Sequence, residues 1–207
     1  MSALKIALTK GRTEQQVIPL LEASGVDCTA IRHKERRLIF NDLPDIHFIL
    51  VKGPDVLTYL NRGAVDIGIV GSDILSEQNN QQYDMLDLGV GKCQFVLAST
   101  PEFDPNQIKR KIIATKYPNI TQRYFQKIGE DVEIIKIEGS VELAPLVGLA
   151  DAIVDIVETG TTLRENNLQV YARLQKVSTQ LVVNQLALKQ HQTAIATLIQ
   201  RLSTAKQ

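Results

Sequence analysis

The residues that constrain this chain most are Ala152-Ile153-Val154-Asp155-Ile156-Val157 and the five that follow, Glu158-Thr159-Gly160-Thr161-Thr162. A short apolar, β-branched run with turn residues behind it reads as a buried strand, and one carboxylate, Asp155, is set into it. The turn is made of small residues, and a helix is expected to open at Leu163. Such a turn is an anion site in physical terms. Glycine lets the backbone approach an oxygen closely, and the free N–H groups and dipole of a first helical turn favour negative charge. The hydroxyls of Thr159, Thr161 and Thr162 add donors. Asp155 cannot bind phosphate, because like charges repel, but it can accept hydrogen bonds from sugar hydroxyls. An acid followed by T-G-T-T therefore suggests a ribose 5-phosphate. A plain strand, turn and threonine N-cap accounts for the same residues.

Strand and helix signals alternate along the chain. Leu4–Leu8 reads as a strand, Lys10-Gly11-Arg12 as the turn after it, and a helix runs to about Ser24, closed by Gly25. Lys10 supplies a point charge and Arg12 a bidentate fork, so this turn is a second oxyanion candidate; a solvated basic turn is the other reading. Further strands are expected at Leu38–Phe40, His47–Val51, Val65–Gly71, Gln94–Ala98, Lys111–Thr115 and Val132–Ile137. Lys52-Gly53-Pro54 ends one of them, with Pro54 in the first turn of the next helix. Ser72-Asp73 opens another helix, Asn119 caps one through Ile128, and Ser140 caps one that carries Glu142. Gln169–Leu174 is expected to return the chain to the first domain. A long final helix shows an apolar stripe at Ile195, Leu198, Ile199 and Leu202. This alternation implies an α/β fold with mostly parallel sheets and helices on both faces. Residues 1–92 with 175–207 form domain I and residues 93–174 domain II, joined by two crossings with a cleft between them.

The bulk properties exclude other classes. The 207 residues carry 23 basic and 23 acidic side chains, so no net charge draws the chain to nucleic acid or membrane. There is no Trp, which argues against a stacking platform for single strands. His33, His47 and His191 are scattered and make neither a metal set nor a triad. Cys28 and Cys93 read as free thiols of a reducing compartment. No signal peptide or long apolar run is visible, so a cytoplasmic protein is expected. The basic run Arg32–Arg37 reads as a solvated hairpin edge or as a reach toward a triphosphate.

Gly139-Ser140-Val141-Glu142, Ala144-Pro145, Gly148–Ala152, Asp155 and Thr159–Leu163 resemble the signature of the ATP phosphoribosyltransferases. The segments GAVDIGIVGSDIL, Leu86–Cys93 and ATKYPNITQRYF are similar to further blocks of that family, and so is the K-G-R turn. Thr9 stands where the family often has Pro, Gln94 where Arg is common, and Lys52-Gly53-Pro54 where Arg followed by acids is usual.

The resemblance implies a fold like that of type II periplasmic binding proteins and a reaction opening histidine biosynthesis. Adenine N1 of ATP attacks the anomeric carbon of phosphoribosyl pyrophosphate, and pyrophosphate leaves. It implies catalytic roles for Asp155 and Glu142. It implies substrate contacts by Lys10, Gly11, Arg12, Lys52, Asp73, Glu158, Thr159, Gly160, Thr161 and Thr162. Mg²⁺ would ride on the pyrophosphate, with no metal cage in the protein. The chain's length resembles the short form of the family, which works in a hetero-oligomer with a regulatory subunit related to histidyl-tRNA synthetase. A sensor or transport-type binding module on the same fold, and a different phosphoribosyltransferase, are the rival classes.

Overall fold

The computed structural model describes residues 3–78 and 82–206, and in it the strand and helix signals build two separate sheets in two units. The first unit takes the chain up to Leu75, the stretch that ends at Gly91, and everything from Ser178 on. Its elements are β1 (Leu4–Thr9), α1 (Arg12–Ala23), α2 (Thr29–Arg32), β2 (Ile39–Phe40), β3 (Ile46–Val51), α3 (Gly53–Asn61), β4 (Ile67–Gly71), α4 (Ser72–Glu77) and β5 (Tyr83–Asp87). The second unit contributes β6 (Cys93–Ser99), β7 (Lys111–Thr115), α5 (Pro118–Ile128), β8 (Val132–Lys136), α6 (Leu143–Leu146), β9 (Ala152–Val157), α7 (Thr161–Glu165) and β10 (Gln169–Val177). The chain then closes the first unit with β11 (Thr179–Val183), α8 (Gln185–Gln190) and α9 (Gln192–Ala205).

The first unit's sheet has the order β2-β3-β1-β4-β11-β5. β1 runs parallel to β3 and β4, while β2, β11 and β5 pair antiparallel. Side chains alternate between two cores, as a strand covered on both faces requires. Ile6 and Leu8 face one side with α1 and α9, and Ala7 faces the other with α3. The stripe on α9 behaves as expected, with Ile195, Leu198 and Leu202 all buried.

The second sheet has the order β10-β6-β9-β7-β8, with β7 parallel to β8 and β9 and with β6 antiparallel to both its neighbours. Both sheets are therefore mixed, with parallel pairs among β3, β1 and β4 in one and β9, β7 and β8 in the other. Among the described residues no helix is long and apolar enough to cross a membrane.

Four local readings change. Gln169–Leu174 does not return to the first unit: it is part of β10, which stays paired with β6. The return is made by β11, whose Leu181, Val182 and Val183 are fully buried between β4 and β5. An uninterrupted apolar run suits that interior place, whereas the polar and exposed residues of β10 suit an edge. The second unit consequently runs from Lys92 to Val177, and it also takes Ser76–Gln78 at the end of α4.

β5 is an element that the sequence reading lacks. Asn119 is not a cap either: Tyr117 precedes the helix, and the free N–H groups of Asn119 and Ile120 each donate to the Glu77 carboxylate at 3.0 Å. A full negative charge satisfies the positive end of α5 more strongly than an amide does. Finally, Ser140 takes a φ of 44° and caps nothing; α6 is a single turn, and Glu142 immediately precedes it.

Candidate active site

In the second unit, three parallel strands deliver their following residues to one edge of the sheet, the edge where open α/β sheets carry ligands. β7 is followed by Lys116, β8 leads through Glu138 to Ser140–Glu142, and β9 leads into Glu158–Thr162. Asp155 lies near the end of β9. Strand alternation puts it on the face of Ile153 and Val157, which pack with Val141 and Ala144 beside α6 and with Leu163 of α7. That placement explains its electrostatics. Burial pushes the Asp155 carboxyl above the ordinary aspartate range, and the charge of Glu142 pushes the same way, against a backbone hydrogen bond from Ile156 and the charge of Lys116. Glu142, the other acid singled out from the sequence, thus adds to the effect of burial on Asp155.

The turn after β9 owes its shape to Gly160, whose φ of 73° is a left-handed conformation that glycine adopts without cost. α7 begins at Thr161, two residues earlier than expected, so Thr161 and Thr162 occupy its first turn. Thr159, Thr161 and Thr162 are exposed, as is Glu158. The hydroxyls of Thr159 and Thr161 lie 3.1 Å apart. Arg164 closes the loop: its Nη1 donates to the Thr159 carbonyl at 2.9 Å and its Nη2 to Thr161 Oγ1 at 3.1 Å. Sequence reasoning passed over Arg164, although a basic residue three positions after Thr161 on a helix lies on the same face. It also passed over Lys116, an exposed cation directly after β7 that acts on Asp155.

The first unit repeats the arrangement. β1, β3 and β4 are parallel neighbours, and their following residues are Lys10-Gly11-Arg12, Lys52 and Ser72-Asp73. The Lys10 N–H donates to the Val51 carbonyl at 2.9 Å, and Thr9 Oγ1 donates to the Ile69 carbonyl at 2.8 Å, which ties the three strand ends together. Lys10, Gly11, Arg12 and Lys52 are exposed and Asp73 is half-buried. Lys52 directly precedes α3, in which Pro54 sits in the first turn. The basic run Arg32–Arg37 spends three of its cations on intramolecular partners: Arg32 on Glu22 at 2.6 Å, Lys34 on Glu14, and Arg37 on Asp42 at 3.1 Å.

A surface hollow of about 530 Å³ lies among Pro105–Lys111, Glu130 and Asp131, at the opposite ends of β7 and β8. Its charged side chains are paired with one another or with Asp151. Lys109 pairs with Asp151 at 2.7 Å, Arg110 with Asp131 at 3.0 Å and Lys111 with Glu130 at 2.9 Å. Strand-end chemistry, not hollow size, marks the site. Among the described residues no three metal-ligating side chains cluster.

Fold and site define a class: an α/β protein of the type II periplasmic-binding-protein fold, with paired acids and anion-compatible turns at its parallel strand ends. The chain is similar in fold to the aliphatic sulphonate binding protein SsuA of Escherichia coli, with a TM-score of 0.65 at 16% identity over 100% of this chain and 73% of that one. It is far closer to the ATP phosphoribosyl transferase (HisG:HisZ) complex from Thermotoga maritima, with a TM-score of 0.83 at 36% identity over 98% of each chain. A family model described as ATP phosphoribosyltransferase matches residues 52–204. Relatives named ATP phosphoribosyltransferase are 71% identical in Lacticaseibacillus casei, over 98% of this chain and 96% of the relative, and 57% identical in Listeria monocytogenes, over 99% and 97%. The chain belongs to the ATP phosphoribosyltransferase family. It is a pentosyltransferase that transfers phosphoribosyl from phosphoribosyl pyrophosphate to N1 of ATP, the first step of histidine biosynthesis.

Proposed function

We propose that the second unit's strand ends hold the phosphoribosyl group and that the first unit's turns hold phosphates, in the catalytic subunit of a short-form enzyme. The observation that carries this reading is the placement of Asp155 near the end of β9, where burial raises its pKa, with the Glu158–Thr162 turn directly behind it.

In this mechanism Thr159, Gly160, Thr161 and Thr162 bind the 5-phosphate, with Glu158 beside them. Asp155 accepts from the ribose hydroxyls. As the anomeric carbon loses pyrophosphate it gains positive charge, as in glycoside chemistry, and Asp155 and Glu142 stabilise that charge. Adenine N1 attacks with its own lone pair, so no strong base is needed. Positioning and charge placement supply the rate. Lys10, Gly11, Arg12 and Lys52 bind substrate phosphates, and Asp73 contributes at the same strand ends. Mg²⁺ would be carried by the pyrophosphate of the substrate rather than by a cage of protein ligands, and would supply charge neutralisation there.

Thr162→Ala is expected to weaken phosphoribosyl pyrophosphate by about tenfold or more, because a hydroxyl bonded to a charged group contributes roughly 1.5–3 kcal/mol. Calorimetric titration of the folded variant checks this, and an unchanged affinity removes the turn from the phosphate site.

The cytoplasmic partner is proposed to be a regulatory subunit like the second component of the Thermotoga complex, a relative of histidyl-tRNA synthetase. Support comes from that complex, which this chain matches at 36% identity. The test is pyrophosphate release with ATP against other bases, by the chain alone and with the partner. Low activity and no histidine inhibition alone, with both restored by the partner, is the expected result. Full histidine-sensitive activity alone would overturn the short-form reading. Release with another base in preference to ATP would overturn the acceptor.

A further inference from the structure

Among the described residues Glu14 is the most deeply buried carboxylate, at 3% exposed. It sits in the first turn of α1 on the face that continues into Val17, Ile18 and Leu21 of the core. Its carboxylate has two partners. Oε2 accepts from the Gly11 N–H at 3.2 Å, and both oxygens accept from Lys34 Nζ, at 2.5 and 2.6 Å. Gly11 is the centre of the Lys10-Gly11-Arg12 turn. Its φ of 95° and ψ of −132° are a conformation that side-chain-bearing residues avoid. Glycine reaches it readily but reaches many others as readily, so a turn of one fixed shape needs partners that select it.

Stability alone does not account for a carboxylate here. An aliphatic side chain in the same core position is often as stabilising as a buried ion pair or more so. The pair suits a different task, fixing one backbone geometry. Lys34 also cancels the charge of Glu14, so that a carboxylate three residues from an anion-binding turn does not repel the anion.

We propose that Glu14, clamped by Lys34, is a positioning residue that holds Gly11 so that the Lys10–Arg12 turn keeps the shape in which it receives substrate phosphate. This inference rests on the reading that the turn binds phosphate, and the experiment separates the two. The full chain is titrated calorimetrically with phosphoribosyl pyrophosphate and with ATP, each with magnesium, and melting temperatures are recorded. The Lys10→Ala/Arg12→Ala variant tests the turn and is expected to weaken at least one ligand tenfold or more. Glu14→Met/Lys34→Met removes the acceptor without leaving an unpaired charge, and is expected to weaken the same ligand tenfold or more. Glu14→Gln keeps an oxygen for Gly11 and should stay within threefold of the unaltered chain.

Should the double methionine variant not fold, Gly11→Ala carries the comparison, since a Cβ there meets nothing within 4 Å and only the backbone conformation is disturbed. It is expected to lose the same ligand. Unaltered affinity in the folded Glu14→Met/Lys34→Met or in Gly11→Ala overturns the positioning role and leaves the turn's own role standing. A lower melting temperature with unchanged affinity is the signature of a purely structural pair and overturns it too. Unaltered affinity for both ligands in Lys10→Ala/Arg12→Ala overturns the reading of the turn, and the positioning role with it.

Discussion

Asp155→Asn is expected to lower turnover by about a hundredfold while raising the melting temperature of the ligand-free chain. The first effect follows from removing a charge aimed at a developing cation, a loss of about 10²–10³ for comparable electrostatic groups. The second follows from the raised pKa. Burial and the neighbouring charge of Glu142 make the folded state hold the Asp155 proton more tightly than the unfolded state does. Between the ordinary aspartate value and the raised one, the folded state therefore binds more protons, and stability falls as pH rises through that window. Above the raised value the penalty is complete, and an amide does not carry it. The gap in melting temperature between variant and unaltered chain should accordingly be absent in strong acid, open as pH rises through the ordinary aspartate value, and reach a plateau above the raised one. Thermal melts across pH, with saturating-substrate rates, check both parts. A destabilised variant that keeps its saturated rate would make Asp155 a structural residue.

Phe95→Ala is expected to cost about 3–5 kcal/mol, the usual range for deleting a core aromatic ring. Phe95 is fully buried on β6 and meets Tyr117 edge to face at a centroid distance of 4.8 Å. Its partner in register is Ile156, the residue after Asp155. The cavity opens beside the strand that carries the acid, so loss of stability and loss of affinity for phosphoribosyl pyrophosphate should appear together. Because the chain holds two units, the second unit's transition is expected to move first in urea, and a single-transition fit is the wrong description. A loss below about 1 kcal/mol, on a scale where single core deletions give 2–5, would show that this core collapses around the vacancy.

Much of the candidate site was legible because its signals are local. β9 runs over the six residues read for it, Ala152–Val157, since a β-branched apolar run between an Asp and a small-residue turn has few other places to go. The K-G-R turn, the T-G-T-T turn and the α9 stripe are of the same kind: each is written within one helical turn or one strand length. Arg164 belonged to that legible class as well, because its spacing from Thr161 is helical.

Other features are not local. β10 and β11 follow one another along the chain, and the burial of Leu181–Val183 between β4 and β5 decides which of them rejoins the first sheet. The end of α5 is satisfied by Glu77, 42 residues before Asn119, so no window around Asn119 contains its cap. Nothing local singles out Glu14, and Lys34 is one charge within the basic run Arg32–Arg37. Folding puts them 2.6 Å apart, with the Glu14 carboxylate buried, Lys34 half-buried over it and Gly11 N–H on the same carboxylate. Periodicity and turn chemistry act over a few residues and can be read in order along the chain. Pairing, burial and the effect of the Glu142 charge on Asp155 depend on which distant segments share a space, and that is decided only when the chain packs.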